Sequence, residues 1–282
     1  MCILCDLQYY RNQLSPLDER SQTTCEEVFN CLTHVFGILF AIFQMKAMFR
    51  LCGRKGFSTT KKTAVMFFCI SSLVLYSNST LYHLFNLVTP QFIRLRYIFQ
   101  RLDHLTIYLM ITGCYVSFIL SRLFEKGYVK SGIVVICSIA VMAITGILFT
   151  LFSPPTSNMD VIMYLCMGFS CILVAPGWFY FCPTSLLLWL FTGGITYFLG
   201  TLFFSWDKLY LNHTIWHIVV LLANIQHSFA VLIAIDDEGQ EKSNTFWSSF
   251  SQPVVQMKDF IVERFFWAER VAVERLTPQK EE

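Results

Sequence analysis

The chain has 282 residues, of which 55% are hydrophobic and only 14% charged, with 28 Phe; roughly a quarter would be charged in an ordinary soluble domain. Its formal net charge is +2 and its Lys and Arg are scattered, which argues against a nucleic-acid surface and leaves membrane lipid as the expected surroundings and partner. Eleven Cys is an odd number, and most fall inside apolar runs (Cys69, Cys114, Cys137, Cys166, Cys171), where a thiol behaves as a small hydrophobe, so no disulfide framework is implied.

In chain order, residues 1–26 form a polar tail containing Asp6, Arg11, Pro16, Asp18, Glu19 and Arg20, without the apolar core of a cleavable signal peptide. Cys2 and Cys5 have CxxC spacing but no second pair, which predicts a disordered or lipidated terminus rather than a metal site. A spanning helix needs about 20 mostly apolar residues. Seven such runs follow, at 27–48, 63–88, 103–123, 130–152, 159–180, 184–205 and 212–235. Ser153-Pro-Pro-Thr-Ser157 and Cys182-Pro-Thr-Ser185 read as turns, and Arg50 to Lys62 and Thr89 to Arg101 as charged links. Beyond residue 235 the chain turns polar, and helical periodicity resumes from about Val255 to Leu276 with Ile261, Phe265, Ala268 and Ala272 on one face. That tail predicts an amphipathic helix on the membrane surface or, alternatively, one that pairs with a protein partner. The expected architecture is an all-α integral membrane protein, a seven-transmembrane-helix bundle over 27–235 with a buried metal site, followed by the tail 236–282.

Because successive spans run in opposite directions, the start of the first, the end of the second, the start of the third and the start of the seventh share one membrane face. Those places carry Glu27, Asn30 and His34, then Ser79 and His83, then Asp103 and His104, then His213 and His217. Within each set of residues three or four apart, the side chains share a helix face and can point inward together. His213-Thr-Ile-Trp-His217 is the most telling stretch, since two imidazoles one turn apart can take one cation between them.

Zinc fits this pattern, because neutral imidazoles suit it and catalytic sites commonly keep three protein ligands and a water. The expected ligands are His83, His213 and His217. Asp103 either completes the shell or, as favoured here, holds and deprotonates the metal-bound water, with Ser79 as its hydrogen-bond partner. Glu27, Asn30 and His34 are expected to orient the ligands through hydrogen bonds. The plainer alternative is a set of interhelical hydrogen bonds, worth only about 0.6 kcal/mol each on average. Against it, a carboxylate such as Asp103 costs about 2.5–3.5 kcal/mol at a helix centre unless it has interfacial depth or a partner. His227 lies nearly three turns from His217 and is expected to hydrogen-bond between helices instead. His104 points away from Asp103 around the helix, towards a helix contact.

Five ordered stretches carry a family resemblance: Glu26-Glu27-Val-Phe-Asn30-Cys-Leu-Thr33-His34, Ser79-Thr80-Leu81-Tyr82-His83, Asp103-His104-Leu-Thr-Ile107-Tyr108, Gly193-Gly194-Ile-Thr-Tyr197 and His213-Thr-Ile-Trp216-His217. From about residue 26 to 235 the chain resembles the haemolysin III family, within the progestin and adipoQ receptor group that includes the adiponectin receptors and macrophage differentiation factors. The resemblance implies seven helices and one zinc held at His83, His213 and His217, beside Asp103 and Ser79. Similarity to alkaline ceramidases adds hydrolysis of a lipid amide, which makes a sphingolipid a candidate substrate. Two departures stand out: Cys114-Tyr115-Val116-Ser117 replaces a stretch that carries a kink-forming Pro in bacterial members, and the tail 236–282 has no counterpart. The resemblance to adiponectin receptors implies zinc facing the cytosol, whereas the excess of Lys and Arg in the first link over the second implies the reverse.

Three functions follow as expectations. The first is a zinc-dependent intramembrane hydrolase of a lipid amide or ester. The second is a lipid or hormone signalling receptor or scaffold with structural zinc. The third, weaker, is a cytolytic pore, for which no span carries a continuous polar stripe. Plasma membrane and endomembrane are equally compatible.

Overall fold

The computed structural model describes residues 22–88, 93–152, 159–172, 182–206 and 208–236. Over these residues the chain is helical: α1 Thr24–Arg54, α2 Thr59–Leu87, α3 Ile93–Phe118, α4 Val129–Phe152, α5 Met159–Phe169, α6 Thr184–Phe204 and α7 Asn212–Ile235. Six of the seven are long and apolar enough to cross a membrane, α3 by counting its extension to Lys126. The run expected at 159–180 is represented by α5 and a 3₁₀ turn, Ser170–Ile172. Residues 173–180 lie outside the described residues, as do the Cys2/Cys5 pair, the turn at 153–157 and the helix expected from Val255 to Leu276.

Local chemistry sets the helix ends. At α1, Thr23 Oγ1 accepts the Glu26 N–H at 3.3 Å while the Glu26 carboxylate takes the Thr23 N–H at 2.9 Å. These two bonds form a reciprocal capping box that satisfies two donors the first turn leaves open. At α2, Ser58 Oγ accepts the Lys61 N–H at 3.2 Å. The link between these helices is shorter than the charged stretch 50–62 suggested, because α1 runs on to Arg54 and α2 starts at Thr59.

The larger correction concerns 89–101, expected to be a link. From residue 93 it is helical, and α3 begins ten residues before its apolar run. Hydropathy marks the bilayer core, not the helix end, and here the projecting turns are anchored by charge. Arg101 Nη1 donates to the Thr150 carbonyl at 2.7 Å, one of the open acceptors at the end of α4. At its other end α3 lacks a proline but passes into a π turn, Ile119–Leu123, and a 3₁₀ turn, Phe124–Lys126. Buried Arg122 on that π turn donates from Nη2 to the Ile233 carbonyl in the last turn of α7 at 2.7 Å.

Packing is inverted relative to a soluble protein. Along α1 the buried residues Glu27, Asn30, His34, Gly37, Ala41, Gln44 and Met48 recur at helical spacing, while Phe36 and Phe43 on the other side are 63% and 70% exposed. Lipid tails solvate Phe and Leu as well as a core does, so helices associate through small and polar residues instead. Gly37 shows the steric side of this: a Cβ there would collide with the Tyr76 ring of α2. The most extensive contacts join α1 to α2, α2 to α3 and α6 to α7, and α1 also packs on α7. Consequently the beginnings of α1 and α7 meet the end of α2, where the polar residues concentrate.

Candidate metal centre

His83, on the last turns of α2, and His213 and His217, on the first turns of α7, face one another. Their ring centroids are 5.0 Å (His83–His213), 4.9 Å (His83–His217) and 4.5 Å (His213–His217) apart. One nitrogen from each can be chosen so that all three lie within 4.8 Å of one another. His83 and His217 are each about 1% exposed, and no other described residue completes such a group.

Hydrogen bonds fix the protonation of two rings. Glu27 Oε2 lies 2.6 Å from His83 Nδ1, and Glu27 Oε1 accepts from Asn86 Nδ2 at 2.8 Å. A carboxylate accepting at both oxygens places the proton of His83 on Nδ1 and leaves the Nε2 lone pair free. His217 Nδ1 lies 3.1 Å from the Asn30 carbonyl and 3.2 Å from Thr33 Oγ1. A carbonyl only accepts, so His217 also carries its proton on Nδ1, with Nε2 turned the other way. The Nε2 atoms of His83 and His213 are buried and have no hydrogen-bond partner. Buried nitrogen lone pairs converging from three rings, with partners holding the far side of two of them, are the donor set a zinc-like ion takes.

The remaining predicted residues fall around this cluster in different ways. Asp103 stands beside His83 and Ser79, ten residues into α3 rather than at its start. Ser79 Oγ is buried and makes no close hydrogen bond. Asn30 reaches α7 twice, since its Oδ1 accepts from Thr214 Oγ1 at 2.5 Å and its backbone carbonyl from His217. His34 touches the cluster by stacking, not hydrogen bonding: its ring lies 3.6 Å from that of His217 at 15°, and neither nitrogen has a partner. His104 is turned onto its own helix, with Nδ1 donating to the Gln100 carbonyl at 2.8 Å. His227 was expected to bond between helices, but its Nδ1 donates to the Ala223 carbonyl of α7 at 2.9 Å. It does mark the α6–α7 contact, because Gly193 on α6 leaves the space its ring fills.

Glu26 emerges as a residue that positions the site. It is fully buried, and while Oε2 caps α1, Oε1 accepts the Leu211 N–H at 2.9 Å. Leu211 sits at φ 61, a left-handed conformation that costs a non-glycine residue roughly 1–2 kcal/mol. That turn aims its N–H at Glu26 and starts α7 so that His213 and His217 meet His83. The capping-box spacing Thr23-x-x-Glu26 is visible in the sequence; the second use of the carboxylate is not. Thr33 likewise supports His217 only because α1 and α7 are adjacent.

Comparison with known proteins adds an independent line. The sequence model of a family described as haemolysin-III related matches residues 22–228. The hemolysin-3 homolog of Bacillus subtilis is 31% identical over 211 residues, covering 74% of this chain and 94% of the relative. Hemolysin-3 of Bacillus cereus is 33% identical over 220 residues, covering 76% and 94%. The human monocyte to macrophage differentiation factor is 28% identical over 227 residues, covering 79% and 91%. The family-model match spans the part of the chain that builds the histidine cluster.

Proposed function

The chain belongs to the haemolysin-III-related family of integral membrane proteins, and from that premise we propose that it is a zinc-dependent intramembrane hydrolase acting on a lipid amide. The observation that carries this reading is the convergence of His83, His213 and His217 with unpartnered Nε2 atoms on two of them, in a bundle that exposes large apolar side chains such as Phe36 and Phe43 outward. These three residues would hold the metal. Zinc, when bound, supplies Lewis acidity that polarises a carbonyl and brings a water's pKa down to about 7.

The chain's own residues divide the rest of the work. Glu27 and the Asn30 carbonyl keep protons on the Nδ1 atoms of His83 and His217, so that both rings present Nε2. Asp103 accepts a proton from the attacking water and passes it to the departing amine nitrogen as the acyl carbon–nitrogen bond breaks and the acyl carbon gains a hydroxyl. Ser79, buried beside Asp103 with its hydroxyl unpartnered, is placed to donate to that carboxylate once the site is occupied. Burial of the cluster excludes bulk water and strengthens each of these interactions.

A second reading has one observation in its favour. His34 is a fourth imidazole, stacked on His217 with both nitrogens unpartnered. Were it to ligate, the shell would close and the metal would serve to fix helices, as in a receptor or scaffold. The lysis suggested by the relatives' name fits less well, because polar groups in the middle of the described bundle bond to one another, as Asn224 does to Tyr76 and Ser72.

The test is zinc content and fatty-acid release from a ceramide-like N-acyl lipid, compared between the full chain and His213→Ala/His217→Ala. The proposal expects about one zinc per chain and measurable release in the former and neither in the latter. Well-folded, active protein free of zinc would sink it.

A further inference from the structure

Opposite the face that α1 turns to the histidines, the same helix carries a second ordered stripe. Leu32, Phe36, Leu39 and Phe43 follow one another at steps of three and four residues, and all four are exposed. The same steps continue to Lys46, Arg50 and Arg54, which are exposed as well. At about 100° per residue these positions fall within about 40° either side of one line along the helix. A seam of apolar side chains therefore ends in three cations.

The bundle leaves this seam uncovered. α1 packs on α2 and α7 through its other face, and a Cβ placed at Gly53, between Arg50 and Arg54, would meet nothing within 4 Å. The neighbouring charges are disposed differently. Lys55 pairs with Asp236 at 2.5 Å, and Glu125 accepts from Ser58 Oγ at 2.6 Å, so both described acids at this end of the bundle are engaged. Lys46, Arg50 and Arg54 form no ion pair with any described residue.

Depth decides which anion they meet. The 18 residues between Glu27 and Lys46 include no Asp, Glu, Lys or Arg. As helix they span about 27 Å, close to the roughly 30 Å thickness of a hydrocarbon core. Lys46 therefore stands at the edge of the hydrocarbon, with Arg50 and Arg54 about 6 Å and 12 Å further out, in the headgroup layer. A free anion would use the cations alone, whereas a phospholipid also uses the apolar seam that leads to them. A zwitterionic headgroup sets its own cation against its phosphate; an anionic one leaves that charge to the protein.

We propose that the outer face of α1 is a binding site for one anionic phospholipid, with its phosphate at Lys46 and Arg50 and an acyl chain along Phe43, Leu39, Phe36 and Leu32. Arg54 lies at the outer edge of the headgroup. The site is at the opposite end of the bundle from the metal centre and does not depend on what the histidines do.

The experiment is native mass spectrometry of the full chain in micelles carrying equimolar dioleoylphosphatidylglycerol and dioleoylphosphatidylcholine, counting the lipid that stays bound. Wild type should retain phosphatidylglycerol in preference. Lys46→Gln/Arg50→Gln should lower that preference roughly 25-fold, the product of about fivefold for each basic residue near an anionic surface. Arg50→Gln alone should lower it about fivefold and serves if the double variant folds poorly. Arg94→Gln/Lys208→Gln removes the same charge from exposed positions at the other end of the bundle and should leave the preference as it is. Equal retention of the two lipids by wild type overturns the proposal. So does an equal fall in both double variants, which would reduce the effect to net charge, or displacement of the bound phosphatidylglycerol by inorganic phosphate, which would make the cations a simple anion site.

Discussion

The two halves of the helix bundle bury polar side chains in different states. Away from the histidines, Asn224 Nδ2 donates to Tyr76 Oη at 2.9 Å and Ser72 Oγ at 3.1 Å, and Ser228 donates to Gln44 Oε1 at 3.1 Å. Arg122 reaches the Ile233 carbonyl, while Asn224 Oδ1, Tyr197 Oη and Gln226 Oε1 lack partners there. Around the histidines, His83 Nε2, His213 Nε2, both His34 nitrogens, Ser79 Oγ and Thr80 Oγ1 all lack partners. A buried polar atom left unmatched costs about 1–3 kcal/mol. In one half amides and hydroxyls bridge the helices; in the other, unpartnered imidazole nitrogens gather on rings held in place by Glu27 and the Asn30 carbonyl, with Glu26 fixing the start of α7.

If that contrast is right, equal changes in the two halves have unequal consequences. The largest comes from His213→Ala/His217→Ala, which should abolish zinc binding and hydrolysis as read by metal analysis and fatty-acid release, while Asn224→Leu in the other half keeps its zinc. Next, Asp103→Asn should retain zinc yet lower kcat by roughly 10²–10⁴-fold, the usual reach of a general base. Glu27→Gln loses the anionic partner of His83 and should weaken zinc about 10–100-fold in a chelator competition. Gly193→Ala, which pushes a methyl into the His227 ring, should cost about 1–3 kcal/mol of stability in denaturant unfolding without altering zinc content. Smallest of all, Ser228→Ala should cost about 0.6 kcal/mol and leave metal and activity untouched.

The meeting of the starts of α1 and α7 with the end of α2 was legible beforehand, because alternating span direction and the spacings Ser79/His83 and His213/His217 do not depend on packing detail, whereas Asp103 joins from within α3 rather than from its start. Interactions that need two helices at once were not. Glu26 reads as a capping residue, and its bond to Leu211 exists only once α1 and α7 lie side by side. His34 shares a helix face with Glu27 and Asn30, yet it meets His217 ring on ring, a distinction periodicity does not carry. His227 found its acceptor one turn back on its own helix because Gly193 makes room for the ring but offers no side chain to bond. The early start of α3 was hidden by Arg94, Arg96 and Arg101, whose charge signals the membrane edge and conceals that the helix continues through it.

The most direct test is X-ray absorption at the zinc edge on the purified full chain. Three imidazole nitrogens and one further oxygen at about 2.0–2.1 Å would match His83, His213 and His217 with an open position for water or substrate. Four imidazoles would bring in His34 and turn the metal into a structural brace, and absence of zinc from folded, active protein would contradict the account outright.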